Sequence, residues 1–194
     1  MPELKSAFEK AMEKVKDLEK ASPEELRRLE WVPKGGTIAA KYLRGDVSDL
    51  QPELARHETG VRGFLLEGAL DTLLSNITLP RDGRAKNTSA KAMQGVLALK
   101  KNPKRVKESF DQVEHLFTYY EAAVEQAYTR LKQDFEAKMA DAKKAMEKQY
   151  GGPVKMDVER HPQFQDEWLR TVTALDSQYE RVLDEHKQRI RKMP

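Results

Sequence analysis

One segment decides the fold, residues 103–150: PKRVKESFDQVEHLFTYYEAAVEQAYTRLKQDFEAKMADAKKAMEKQY. After Pro103 it contains no proline and no glycine, the two residues that most often end a helix. We therefore predict one uninterrupted helix from Lys104 to Tyr150. At about 1.5 Å per residue this helix would be roughly 70 Å long, more than the width of a small domain.

The end of the chain predicts a second helix, beginning at His161-Pro162, that pairs with the first. Apolar residues recur in both helices at steps of three and four, and the two stripes share the same irregular order of steps. The long-helix stripe, read backwards, is Tyr150, Met146, Ala142, Met139, Phe135, Leu131, Tyr128 and Val124, and the last-helix stripe is Phe164, Trp168, Val172, Leu175, Tyr179, Val182, His186 and Ile190.

Paired in that order, seven of the eight pairs have residue numbers that sum to 314. This agreement predicts an antiparallel helical hairpin over residues 124–190, an arm of about 40 Å. It places Phe135 beside Tyr179 and His186 opposite Tyr128. At that position His186 is either a core histidine bonded to the tyrosine hydroxyl or a pH sensor, and the first interpretation is favoured.

Shorter helices precede the long one. Apolar spacing and turn residues predict helices over residues 4–18, 22–33, 38–44 and 49–77, and a further one capped by Ser89 or Asn87 that ends before Asn102. Ser22 and Glu25 predict a capping box at the start of the second helix, and Gly45 predicts the end of the third. Lys34-Gly35-Gly36-Thr37 is interpreted as a turn, because it lacks the spacing of a P-loop. The glycines of the fourth segment indicate either a break or close approach by a neighbouring backbone. We favour a break at Gly60, with Gly63 and Gly68 inside the helix that follows.

Together these patterns predict an all-α fold: a helical body of short helices packed on one very long helix, with a projecting antiparallel two-helix coiled-coil hairpin. The predicted domains are a body over residues 1–123 and a hairpin arm over residues 124–194. The arm would have its tip loop at residues 151–161 and would join the body through the long helix, residues 103–150.

Composition limits the classes of function. The 194 residues include 35 Lys and Arg against 32 Asp and Glu, a formal net charge of +3, which argues against a general polyanion binder. There is no cysteine, which excludes disulfides, thiolate nucleophiles and cysteine zinc sites and favours a reducing compartment, the cytoplasm. No apolar run reaches the roughly 18 residues of a membrane span, and residues 1–20 do not resemble a secretory signal.

No motif for catalysis or metal binding emerges. None of the four histidines has Asp or Glu three residues before it, and no His-x-x-x-His or Gly-x-Ser-x-Gly motif occurs. Asp111 and His115 are four residues apart on a helix, and we interpret them as a surface contact. We therefore predict no catalytic residue, no cofactor and no metal ligand.

One segment is strongly basic. Between residues 81 and 107 there are nine cations and one acid, Asp82, a net charge of +8. This indicates either a solvated loop and helix end or contacts with phosphates or an acidic protein. No aromatic residue occurs there for base stacking. The candidate contacts are Arg81, Arg84, Lys86, Lys91, Lys100, Lys101, Lys104, Arg105 and Lys107.

The predicted tip of the arm carries apolar side chains: Val154, Met156 and Val158, with Trp168 nearby. These side chains either fold back on Phe164 and Trp168 or form a patch for a partner. Both interpretations remain open at this stage.

We therefore expect a non-enzymatic helical scaffold or adaptor that binds a protein partner through its arm or associates with itself. The alternative is an RNA- or ribosome-associated factor that uses the basic segment 81–107. A third possibility is a helical enzyme or ligand carrier with a pocket near the glycines of residues 60–68. We expect no membrane partner.

Overall fold

The computed structural model describes residues 22–150, 152 and 157–194, and all regular secondary structure within these ranges is helical. The all-α prediction is confirmed. The helices are α1 (Pro23–Arg44), α2 (Leu50–Ala55), α3 (Thr59–Ser75), α4 (Gly83–Leu99), α5 (Pro103–Tyr150) and α6 (Pro162–Lys192), with a 3-10 turn at Val158–Arg160 before α6. The helix predicted over residues 4–18 lies outside the described residues.

The chain divides into two compact units. The described part of the first comprises residues 22–77 and 90–103, and the second comprises residues 78–89 and 104 onward. This division differs from the predicted boundary at residue 123/124, because contacts of α5 with α6 extend upstream as far as Gln112, whose side chain accepts a hydrogen bond from Arg189.

In the first unit, α1 and α3 are in backbone contact at two glycines. A Cβ atom added to Gly68 would lie 1.9 Å from the carbonyl oxygen of Val32, and one added to Gly35 would lie 2.0 Å from that of Leu65. Only a hydrogen atom fits at these positions. Of the two interpretations of these glycines, close approach by a neighbouring backbone is therefore confirmed for Gly68. Gly63, in contrast, faces open space.

The predicted turn at residues 34–37 is wrong, because α1 continues through Pro33 to Arg44. The two glycines that indicated a turn lie instead where α1 meets α3, and tertiary packing overrides their weak helix propensity. The predicted start and end of the segment 22–44 are confirmed, because Ser22 and Glu25 form a capping box and Gly45 (φ 92°) terminates α1. The break before α3 falls at residues 56–58, ahead of Gly60.

Contacts in the first unit also involve α2 and α4. Leu54 of α2 packs with Val61 and Leu65 of α3, and Trp31, Ile38, Leu66 and Leu99 cover this cluster. The side-chain amide of Gln51 donates to the carbonyl of Ala98 at 2.6 Å. Of the glycines beside which the third possibility assigned a pocket, Gly68 thus lies in close helix packing, with Leu65 and Ala69 fully buried, whereas Gly60 and Gly63 face open space.

The second unit contains the predicted antiparallel pair, formed by α5 and α6. The rings of Phe135 and Phe164 are 5.4 Å apart, and so are those of Tyr120 and Tyr179. The residue numbers of each pair sum to 299 instead of 314. The prediction that Phe135 lies beside Tyr179 is therefore wrong.

The error is a shift of 15 residues (314 − 299), which is about four helical turns. A helix presents almost the same face after a whole number of turns, so the stripes match nearly as well in either register. His186 consequently does not lie opposite Tyr128, whose ring contacts Phe164 and Trp168. Burial and nearby Arg189 lower the pKa of His186.

An aromatic cluster at the beginning of α6 sets the observed register. Leu131, Phe135, Val158 and Phe164 are buried together, and Tyr128, Met139 and Trp168 pack against them. Since α6 begins beside Phe135, α5 continues past this cluster to Tyr150, roughly 20 Å further.

We predict that the α1–α3 contact tolerates no side chain at residue 68. Gly68→Ala should lower the free energy of unfolding by about 3 kcal/mol, because the methyl group would collide with backbone. Gly63→Ala, in the same helix but facing open space, should raise it by about 1 kcal/mol. Urea unfolding followed by circular dichroism measures both, and equal effects would contradict the close contact.

Candidate functional site

A groove of about 550 Å³ lies between α5 and α6 in the second unit. Its lining residues come from both helices and from the segment before α4. They fall into an aromatic and aliphatic wall and a charged rim.

The segment before α4 is held by buried contacts that position Arg81. The Ser89 hydroxyl donates to the Thr78 carbonyl and accepts from the Thr78 N–H, both at 3.0 Å. Leu79 and Pro80 are buried, and an Asp82 carboxylate oxygen accepts the Ala85 N–H at 2.7 Å. Ser89 or Asn87 was predicted to cap this helix. Instead α4 begins earlier, at Gly83, and Ser89 lies inside it.

The wall of the groove is aromatic and aliphatic. Tyr128 and Trp168 meet edge to face, with ring centroids 5.0 Å apart, and Trp168 is half-buried. Val124 and Val172 line the groove beside them. Leu169, whose exposed fraction is 64%, shares a helix face with Val172 by spacing and extends this surface.

Arg81, Tyr120 and Asp176 form a hydrogen-bonded network at one end of the groove. The Tyr120 hydroxyl donates to Asp176 Oδ1 at 2.7 Å, and Arg81 Nη2 forms an ion pair with Asp176 Oδ2 at 3.0 Å. The same Arg81 nitrogen lies 2.5 Å from a carboxylate oxygen of Glu180. Burial and the bond to Asp176 together raise the pKa of Tyr120 to about 12.

The rim carries excess negative charge. The charged lining residues are one cation, Arg81, and three carboxylates, Glu121, Glu125 and Asp176, a net charge of −2. Adding the ion-paired neighbours Lys86 and Glu180, one of each sign, leaves this value unchanged. Glu125 is exposed and forms no ion pair with any described residue. A negative groove therefore lies in a chain whose formal net charge is +3.

These groups are suited to binding cations beside apolar surface. Aromatic faces attract cations, and carboxylates accept charge-assisted hydrogen bonds. Tyr120, with a pKa of about 12, keeps its proton at neutral pH. Among the residues that the structure describes, no group of three His, Asp or Glu side chains is arranged to hold a metal ion.

The basic segment does not form a row of free cations. Arg81 and Lys86 are bound to carboxylates, and Lys91 lies over the Tyr42 ring. Burial lowers the pKa of Lys100, which is half-buried. Lys91, Lys100 and Lys101 belong to the first unit, and the others belong to the second. Four cations are exposed without a partner among the described residues: Arg84, Lys101, Lys104 and Lys107.

The predicted apolar patch at the arm tip is only partly described. Val154 and Met156 lie outside the described residues. Val158 is buried against Phe164, so for this residue the folded-back interpretation is confirmed and the exposed one is wrong. Trp168, the fourth candidate, lines the groove.

The groove's carboxylates were missed because the sequence analysis followed apolar positions and cations. A signal was present: Glu121 and Glu125 are one turn apart, as are Asp176 and Glu180, and each pair adjoins a seam aromatic. Without the observed register, these pairs could not be brought to the same place.

The fold and groove define a class of all-α proteins with a helical-hairpin groove that has an acidic rim. The chain belongs to a family of unknown function (DUF6657), which matches residues 51–192. No curated protein and no solved structure is similar enough to count as a match. In the described part of the chain, no helix combines the length and the apolar character needed to cross a membrane.

We predict that Tyr120 makes stability fall at alkaline pH. Its pKa is about 12 in the folded protein against an ordinary 10.0, so its contribution is complete below pH 10 and is lost as the pH rises toward 12. Tyr120→Phe should lower the free energy of unfolding by about 2 kcal/mol at pH 7, because a hydrogen bond to a carboxylate is lost. Between pH 10 and 12, the free energy of unfolding of the Tyr120→Phe variant should also change less with pH than that of the wild type.

Urea unfolding at a series of pH values measures these differences. Tyr119→Phe is the matched control, since Tyr119 is the adjacent residue and its exposed fraction is 67%. A Tyr120→Phe profile parallel to that of the wild type would contradict the assigned pKa.

Proposed function

We propose that the protein is a non-enzymatic helical adaptor that binds a partner protein in the groove between α5 and α6. The observation that carries this proposal is the half-buried Trp168 in an open groove, next to the exposed Leu169. Tryptophan contributes strongly to protein interfaces, and a half-buried ring leaves surface for a partner to cover.

The location of the groove also supports a binding role. Its walls are side chains of two long helices held in register by the aromatic cluster, so the surface is formed before a partner arrives. The groove is open to solvent, and its volume of about 550 Å³ gives room for side chains of a docked segment.

The chemistry of the groove supports a role without catalysis. General acids and bases work best when their pKa lies near the working pH. Burial and the bond to Asp176 move the pKa of Tyr120 away from neutrality, and Arg81 and Asp176 are engaged with each other. We place the adaptor in the cytoplasm, since a chain without cysteine suits a reducing compartment.

An RNA- or ribosome-associated role is the second candidate. It is favoured by the N-terminal end of α5, whose first five residues include Lys104, Arg105 and Lys107 and no acid. Cations at a helix N-terminus oppose the helix dipole, and bound phosphates would relieve this cost. Because Arg81 and Lys86 are already bound to carboxylates, fewer of the predicted cations support this role.

We predict that a photo-crosslinker at residue 169 captures the partner. Benzoylphenylalanine replaces Leu169 in the full chain, which is expressed in its native host and irradiated. Adducts should form at 169, because this exposed side chain shares a helix face with the groove residue Val172 by spacing. They should be lost when Trp168→Ala is added. Gel electrophoresis and mass spectrometry identify the adduct, and the purified partner must then bind the purified protein.

The matched control places the same crosslinker at Tyr119, which has similar exposure in the same unit and, nine residues before the groove residue Tyr128, lies on the opposite face of α5 by spacing. Equal adducts from both positions, or none from 169, would overturn the groove as the binding surface. An adduct of 169 with a second copy of the chain would replace the adaptor proposal by self-association.

For the second candidate, we predict that RNA binding weakens with salt and depends on the N-terminal end of α5. Each phosphate contact on a single strand contributes about −0.7 to the slope of log Kobs against log salt. Lys104→Gln with Lys107→Gln should therefore make the slope about 1.4 less negative. Lys86→Gln, at a cation already paired with Glu121, should leave the slope unchanged. Binding that ignores salt eliminates this candidate.

A further inference from the structure

We propose that the occupant of the groove is a basic peptide segment of a partner, in which an arginine or lysine is next to an aliphatic residue. This inference rests on the proposed adaptor function and specifies the chemistry of the partner. It is drawn from the charge of the rim, the wall beside it and the way in which the chain binds one of its own arginines.

The rim is complementary to a cation. Its net charge of −2 remains after Arg81 is counted, and the Glu125 carboxylate has no ion-pair partner among the described residues. A basic side chain entering from solvent would meet this exposed carboxylate in the same groove as the half-buried Trp168. Like charge at the same place would repel an acidic segment.

Arg81 shows how this surface binds a guanidinium. Its Nη2 atom lies 3.0 Å from Asp176 and 2.5 Å from Glu180, and the Tyr120 hydroxyl supports Asp176 from the other side. The arrangement combines carboxylates of α6 with an aromatic residue of α5. Glu125 and Trp168 bring the same two kinds of group to the groove, one from each helix, and no described Lys or Arg is ion-paired with Glu125.

The aliphatic part of the occupant has its own contacts. Val172 lines the groove, and Leu169 lies three residues before it on the same face of α6. The exposed fraction of Leu169 is 64%, so a large apolar side chain is available on the face of α6 that carries Val172. A free amine would satisfy the carboxylates but would leave Leu169 uncovered, which is why we assign a peptide.

The test uses defined peptides and the full chain. The two tryptophans of the protein are Trp31 and Trp168, so a Trp31→Phe background makes Trp168 the sole fluorescent reporter at the groove. The probe is the amidated peptide (Ala-Ala-Arg-Leu)₃, compared with versions in which glutamine or glutamate replaces every arginine. Arginine amide alone tests whether a small cation suffices.

The arginine peptide should change Trp168 emission and bind at least tenfold more tightly than the glutamate peptide. Glu125→Gln should weaken this binding about threefold, as for an exposed charge contact. Asp134→Asn is the matched control, because it removes a carboxylate nine residues along α5, on the opposite face, and should change nothing. Leu169→Ala should weaken the binding of the arginine peptide and leave the binding of arginine amide unchanged.

Other outcomes overturn the inference in distinguishable ways. If the glutamine or glutamate peptide binds as tightly as the arginine peptide, the groove binds peptides but the basic chemistry is wrong. If arginine amide binds as tightly as the peptide, the occupant is a small cation. If no peptide alters Trp168 emission while residue 169 still crosslinks a protein, the adaptor function stands with a different partner chemistry. If crosslinking also fails, both proposals fall.

Discussion

The edge-to-face packing of Tyr128, Phe135, Phe164 and Trp168 is the constraint on which the second unit depends. Aromatic pairs in this geometry contribute about 1 kcal/mol beyond the burial of their surface. Their larger effect is on register, since bulky rings fit together at one longitudinal position of α5 against α6. That position brings Asp176 to Tyr120 and Trp168 to Tyr128, and so creates the groove.

Polar contacts then determine the charge of that groove. Asp176 is surrounded by a hydroxyl and a guanidinium, and its pairing satisfies a carboxylate that is mostly buried. Arg81 reaches it because Ser89 and two buried residues hold the segment before α4. With Arg81 and Lys86 engaged, the rim remains acidic although the sequence around Arg81 is strongly basic. Local composition and local surface charge thus have opposite signs here.

The sequence was sufficient for α5 and for the start of α1, and insufficient for the continuity of α1 and for the pairing of α5 with α6. Continuous periodicity and the absence of breakers predicted α5 correctly, and the capping box at Ser22 predicted the start of α1. Two signals misled. Gly35 and Gly36 indicated a turn, although they mark the contact with α3, because local propensity carries no information about distant backbone. The stripes of α5 and α6 allowed two registers about four turns apart, and only the three-dimensional fit of the rings distinguishes them.

The aromatic cluster also constrains insertions within α5. Because α6 is aligned on α5 by rings near its first turns, Tyr128 and Phe135 must both face Phe164. A single residue inserted between them would rotate one ring by about 100° relative to the other and separate them. The spacing of seven between these two rings is therefore a length that α5 has to keep.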